Sequence, residues 1–214
     1  MTVGRGRVAS IVVLLAASIP GAARADDTAD TTYGRVEGDV AFAGALGATF
    51  GPRGPRATVD ARARYLQTAG VFTTYEDGAL FASAAEPRRA LTAGLEARPL
   101  FLARWLRGWE LGVPVVDLAI DSLGLELGVT FAEPEGRPFG SRPALSLGVG
   151  LEVPLLGRAS GLFLGVRGGG RFSEAALAGT PGLGPADRAG FLAITLGWQA
   201  LVGTGLVSAG GGRR

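Results

Sequence analysis

Charged residues fall on one side of an alternating pattern: Glu37, Asp39, Asp60, Glu96, Glu126 and Glu152 against Arg35, Arg62, Arg64, Arg98, Arg167 and Arg171. Two neighbouring carboxylates could do general acid–base work, one protonated and one ionised. A file of alternating charges could instead line a narrow ion path. The third possibility is a packed core of salt bridges, in which each partner offsets the desolvation of the other. No spacing singles out one acid pair; Glu126 and Glu152 are the first to replace by Ala if the chain is an enzyme of the envelope acting on lipid.

The rest of the composition excludes much other chemistry. The 214 residues include no His and no Cys, and all the basic side chains are Arg. Ser-His-Asp and Cys-His nucleophiles, thiolate clusters, ordinary zinc sites and disulfides are therefore out of reach. Ser83, Ser122, Ser141, Ser146, Ser160 and Ser173 have no imidazole to activate them. The glycine cluster Gly165-Val166-Arg167-Gly168-Gly169-Gly170 lacks the Gly-Lys-Ser/Thr of a phosphate loop. Neither a catalytic residue, a metal ligand nor a cofactor-binding residue is expected, and no cofactor.

Elements must hold these charges in place, and the chain divides into a leader and one domain. Arg5 and Arg7 precede the apolar run Val8 to Ile19, Pro20-Gly21 breaks it, and Ala23-Arg24-Ala25 closes it. That order is a cleavable secretory signal peptide over 1–25, leaving one domain over 26–214. Cleavage removes three arginines and brings a formal net charge of +2 close to balance, so no nucleic-acid partner is expected.

Beyond the leader the recurring signal is period two. Val36, Gly38, Val40, Phe42, Gly44, Leu46, Ala48 and Phe50 share one parity; Arg35, Glu37, Asp39, Ala41, Ala43, Ala45, Gly47 and Thr49 share the other. Successive strand side chains point to opposite faces, so one face is oily and the other charged or small. Segments near 57–65, 91–98, 123–131, 145–153, 162–167 and 192–202 repeat the pattern, for seven in all. In a soluble sandwich or lipocalin-like barrel the oily face would point inward and bind an apolar ligand. In a membrane barrel it would meet lipid, with the polar face inside. Three features favour the membrane: the glycine-heavy polar face, segments of the ~9–11 residues a tilted strand needs to cross, and Phe50, Tyr65, Tyr75, Phe131 and Trp198 mostly on the oily parity, some of them near strand ends.

With its leader followed by alternating segments from Val36 to Val202, the chain resembles the small bacterial outer-membrane β-barrel proteins. It is also similar to uncharacterised exported proteins of GC-rich, myxobacterium-like bacteria, in Gly34-Arg35-Val36-Glu37-Gly38-Asp39, in Arg98-Pro99-Leu100-Phe101-Leu102 and in Leu118 to Gly128. The resemblance implies an all-β, antiparallel up-and-down transmembrane barrel of about eight strands. It implies an outer-membrane location after Sec-type export, with membrane lipid and the barrel-insertion machinery as partners. The chain would be a non-enzymatic monomer with a filled or very narrow lumen and a structural or surface-contact role; a soluble periplasmic or secreted carrier is the alternative.

Single-chain bacterial barrels have an even strand count, so an eighth strand is expected near Ala79–Ala84 or within Leu100–Ile120. The second region breaks the alternation. Trp105 and Trp109 lie four apart, Val115, Leu118, Ala119 and Ser122 follow helical spacing, and Pro114 suits a first helical turn. A short helical insertion around residues 100–121 is predicted, as an amphipathic turn at a membrane surface, a plug, or a connecting helix with buried tryptophans. With seven strands, the short turns 51–55 and 156–160 fall at one end, opposite the long connections.

Overall fold

The computed structural model describes residues 33–204 apart from 36, 53, 82–86, 134–137, 141 and 181–186. The expected signal peptide lies outside the described residues. Eight antiparallel strands, each hydrogen-bonded to the next, close with β8 against β1 into an up-and-down barrel. They are β1 (Val40–Gly51), β2 (Gly54–Tyr65), β3 (Ala69–Asp77), β4 (Arg89–Ala97), β5 (Gly124–Ala132), β6 (Arg142–Pro154), β7 (Gly161–Ser173) and β8 (Arg188–Val202). Helices α1 (Pro99–Arg107) and α2 (Pro114–Asp121) form the predicted insertion, and a single turn, α3 (Glu174–Leu177), follows β7.

The eighth strand is β3, which lies in neither expected place; Ala79–Phe81 is a 3-10 turn, 82–84 lie outside the described residues, and 100–120 carries two helices with a non-helical link between them. Two features hid it. Phe72 points inward and Thr73 outward, which blurs the oily and polar faces. The hairpin before it turns on Leu66 (φ 46°) and Gln67 (φ 57°), left-handed positions that normally go to Gly or Asn. Thr68 closes this turn, its N–H and Oγ1 both donating to the Tyr65 carbonyl at 3.0 Å.

Adding β3 overturns the seven-strand expectation that the turns near 51–55 and 156–160 share one end. The turns 51–54 and 155–160 lie at opposite ends. Both ends of the described chain, the turns 66–68 and 155–160, and the helical insertion share one end. The ends of β3, β5 and β7 and the starts of β4, β6 and β8 share the other with the β1–β2 hairpin turn.

Alternation sorts the side chains as the pattern requires, with charge inside and oil outside. Leu125, Leu147 and Ile194 are 55%, 45% and 43% exposed, whereas Arg64 is 1% exposed. The outer rings Phe50, Tyr75 and Phe131 stand toward the loop end, and Tyr65 and Trp198 toward the other. From Val40 to Phe50, ten steps of ~3.3 Å tilted by ~40° make an apolar band about 25 Å tall.

Glycines set how closely the inner face packs. Phe163, with Ala43 and Ala45, forms a small buried apolar cluster inside the barrel. It fits because position 197 is glycine: a Cβ there would meet Phe163 Cζ at 2.5 Å and Ala45 Cβ at 2.6 Å. Gly197→Ala is expected to destabilise the barrel by about 1–3 kcal/mol through overpacking. The check is a lower urea midpoint for the variant, with Gly44→Ala, where a Cβ meets nothing within 4 Å, as the neutral comparison.

Candidate functional site

An eight-stranded barrel has an interior only wide enough for side chains to fill, and this one is filled by ion pairs. Near the loop end, Glu76 accepts from Arg56 Nε at 2.8 Å and from both Nη atoms of Arg171. The Arg171 guanidinium also lies over the Phe191 ring, 4.7 Å from its centroid. Below it, Asp60 accepts from Arg62 Nε (2.7 Å), Thr74 Oγ1 (2.7 Å) and Arg167 Nη1 (3.0 Å).

Arg62 is the hub. Its Nη1 donates to Glu96 and its Nη2 to Glu126, both at 2.6 Å, and the Phe72 ring packs 5.4 Å from Cζ. Glu96 also receives Arg64 Nε (3.0 Å) and Arg98 Nε (2.7 Å). Glu152 bridges the same two arginines, Arg64 Nη2 at 2.5 Å and Arg98 Nη2 at 2.6 Å. Arg64 Nη1 reaches Gln199 Oε1 at 2.8 Å, and Gln199 donates onward to the Ala159 carbonyl in the β6–β7 turn. A ladder of guanidinium forks thus runs down the barrel, its parts supplied by β2, β3, β4, β5, β6, β7 and β8.

The helical insertion floors this ladder. Arg35 pairs with Glu110 and Asp121, each at 2.9 Å. Arg104 pairs with Asp117 and, at 3.5 Å, with Asp121. Asp117 further accepts the N–H groups of Leu111 (2.9 Å) and Gly112 (3.0 Å) and the Tyr33 hydroxyl (3.2 Å). Between floor and barrel a cavity of about 40 Å³ remains, bordered by Gln67, Phe101, Leu118 and Glu152. A crevice of about 10 Å³ among Asp60, Arg62, Glu96 and Arg167 lies above it; a gap of that size holds about one water.

Electrostatics of the floor differ between its two aspartates. Burial alone would raise Asp117, but the Leu111 N–H, Arg104 and Tyr33 outweigh it and hold its pKa below the ordinary carboxylate value. Burial raises Asp121, and Arg35 and Arg104 offset only part of that. For a depressed carboxylate, stability is present above its unfolded pKa and lost as pH falls through the lower folded one. For a raised one the sign reverses: acid favours the folded form. Asp117→Asn is therefore expected to loosen the floor at neutral pH, and Asp121→Asn to leave it as tight or tighter. Trypsin cleavage within 98–123 reads this out directly, since faster cutting of the first variant alone is the expected pattern.

Of the residues singled out from sequence, Asp60, Arg62, Arg64, Glu96, Arg98, Glu126, Glu152, Arg167 and Arg171 meet in the ladder. Three assignments need correction because β1 begins only at Val40, leaving them below the strand. Arg35 is buried in the floor with Glu110 and Asp121. Glu37 is exposed. Asp39 accepts from the backbone N and Oγ1 of Thr204, tying the two ends of the described chain together. Sequence reasoning missed Arg56, Glu76, Thr74 and Gln199. Extending the even parity of Asp60, Arg62 and Arg64 back to position 56 would have found the first, while Glu76 and Thr74 were hidden with β3.

Chemically, the ladder uses Asp60, Glu76, Glu96, Glu126 and Glu152 as acceptors for guanidinium groups, which braces a narrow interior. Glu126 and Glu152 are each held by arginine. Among the described residues, no cluster of three or more Asp or Glu side chains is arranged to hold a metal ion. The tryptophans of the insertion are not buried: Trp105 and Trp109 are 43% and 58% exposed, and Phe101, Arg104, Asp117, Leu118 and Asp121 pack instead. Compared with known protein families, with curated proteins and with solved structures, the chain matches none.

Proposed function

We propose that this chain is a bacterial outer-membrane β-barrel with a sealed interior, non-enzymatic, with a structural or surface-contact role. The observation that carries the reading is the inverted polarity of the barrel: leucines, valines and aromatics outside, arginine–carboxylate ladders inside. Water gains nothing from such an exterior, since contiguous apolar patches of this extent are foreign to soluble monomers; hydrocarbon does. The ~25 Å band and the aromatic residues toward both ends match the dimensions of an outer-membrane barrel.

In this reading the chain's ends, the short turns 66–68 and 155–160 and the helical floor face the periplasm, and the connections 78–88, 133–141 and 174–187 face outward, as outer-membrane barrels arrange them. Lipid and the insertion machinery are its partners, and the chain is a monomer. A lipocalin-like carrier would need an apolar interior; the position of its ligand is taken by Arg62 and its carboxylates.

Extraction tests the reading. The protein is expected to stay with membranes until detergent is added, and to migrate differently on gels with and without boiling. In planar bilayers it is expected to show near-zero conductance, because the ladder and floor fill the lumen. Recovery in the aqueous fraction would refute the membrane reading, and steady large-channel currents would refute the sealed interior.

A further inference from the structure

The helical insertion buries one side in the barrel mouth and leaves the other uncovered. Along α1, where residues step by about 100°, Phe101 and Arg104 face the barrel. Trp105, Leu102 and Leu106 sweep across the exposed arc, and Arg107 ends it. The exposed apolar run continues through Trp109, Leu111 and Val113, and the Arg107 guanidinium covers the Trp109 ring 4.7 Å from its centroid. Two tryptophans, aliphatic side chains and a flanking arginine make up the side-chain set of a segment lying at a lipid–water boundary.

Placement says what covers this surface. α1 begins just after Ala97, in the outer row of β4, and α2 hands over through exposed Leu123 to Leu125 and Leu127 in the outer row of β5. The β6–β7 turn adds exposed Leu155 and Leu156. It also runs beside α2: a side chain at Gly157 would meet Pro114 and Val115 at 3.7 and 3.9 Å. The uncovered face is therefore continuous with the apolar band of the barrel, at the end that carries Tyr65 and Trp198.

We infer that the helical insertion docks on the lipid surface at the chain-termini end of the barrel, with Trp105, Leu106 and Trp109 seated at the boundary between headgroups and acyl chains. The inference rests on the membrane reading above and gives the floor two roles, since one face seals the lumen while the other anchors the barrel to one leaflet.

The chain's three tryptophans provide the test. Full-length variants keeping only Trp105, only Trp109 or only Trp198, with Phe at the other two positions, are folded into phosphatidylcholine–phosphatidylglycerol vesicles carrying bromines at chosen acyl depths. Boiling-dependent gel mobility confirms that each variant is folded. Expected is quenching of Trp198 by bromolipid, and of Trp105 and Trp109 chiefly by shallow bromines, with blue-shifted emission and little quenching by aqueous iodide. Leu106→Glu in the Trp105-only chain is expected to shift its emission to the red and restore iodide quenching, while the same change leaves Trp198 as it was. Trp105 and Trp109 open to iodide and untouched by bromolipid, with Trp198 quenched, would overturn this inference and leave the barrel reading standing. Protection of both from iodide and bromolipid, with a dimer in detergent, would overturn it in favour of a second copy. An unquenched Trp198 would sink both readings.

Discussion

Leu147→Arg is expected to cost about 2–4 kcal/mol of folding stability in a bilayer, enough to abolish the boiling-sensitive gel form in a barrel of modest stability. Leu95, Leu127 and Leu147 stand side by side across β4, β5 and β6, all on the outer face and all exposed, near the middle of the apolar band. An arginine there would bring a charge into hydrocarbon, and the strand's rigid direction limits how far its head can reach toward either interface. In water the same change touches a side chain already half in solvent, where substitutions fall within about 0.5 kcal/mol. The size of the effect therefore reads out which solvent the outer face meets. Urea titration of the protein folded into vesicles measures it, with Leu80→Arg in the 3-10 turn beyond β3 as a control expected to change little.

Arg62→Met is expected to be about as damaging, near 3–5 kcal/mol, because it removes the hub of the ladder and leaves buried carboxylates without it. Its consequences are uneven. Asp60 keeps Arg167, and Glu96 keeps Arg64 and Arg98; Glu126 has its ion pair with Arg62 and is the carboxylate left stranded. Adding Glu126→Gln to Arg62→Met is therefore expected to restore most of the loss, since removing both halves of a buried pair costs far less than removing one. Failure of the double variant to recover would mean that Arg62 matters through its packing on Phe72 or through Asp60, and not through Glu126. The same titration resolves the three proteins, provided the gel shift reports folding for each.

Fold class and polarity were legible in the chain because period two is a local property. A strand's faces alternate whatever it pairs with, so Leu123 to Phe131 or Leu192 to Val202 could be assigned an oily and a polar side from spacing alone. The absence of His and Cys likewise ruled out whole reaction classes before any element was placed. The helical break around Trp105 and Pro114 was legible for the same reason, its spacing of three and four standing out against twos. β3 was not, because its hairpin turns on Leu66 and Gln67 and its Phe72 sits on the polar side; neither departs from the rules in a way that residue types alone reveal.

Which charges meet depended on closure of the barrel. Arg62 and Glu126 lie on β2 and β5, strands that are not neighbours, and Arg171 and Glu76 on β7 and β3. Their side chains reach each other across a lumen that exists only once β8 pairs with β1. The same holds for the floor, where Arg35 finds Asp121 from far along the sequence because an even number of intervening strands returns the chain to the side where it began. Parity along a strand is a matter of backbone geometry at neighbouring residues; pairing across the interior is a matter of register summed round the whole ring.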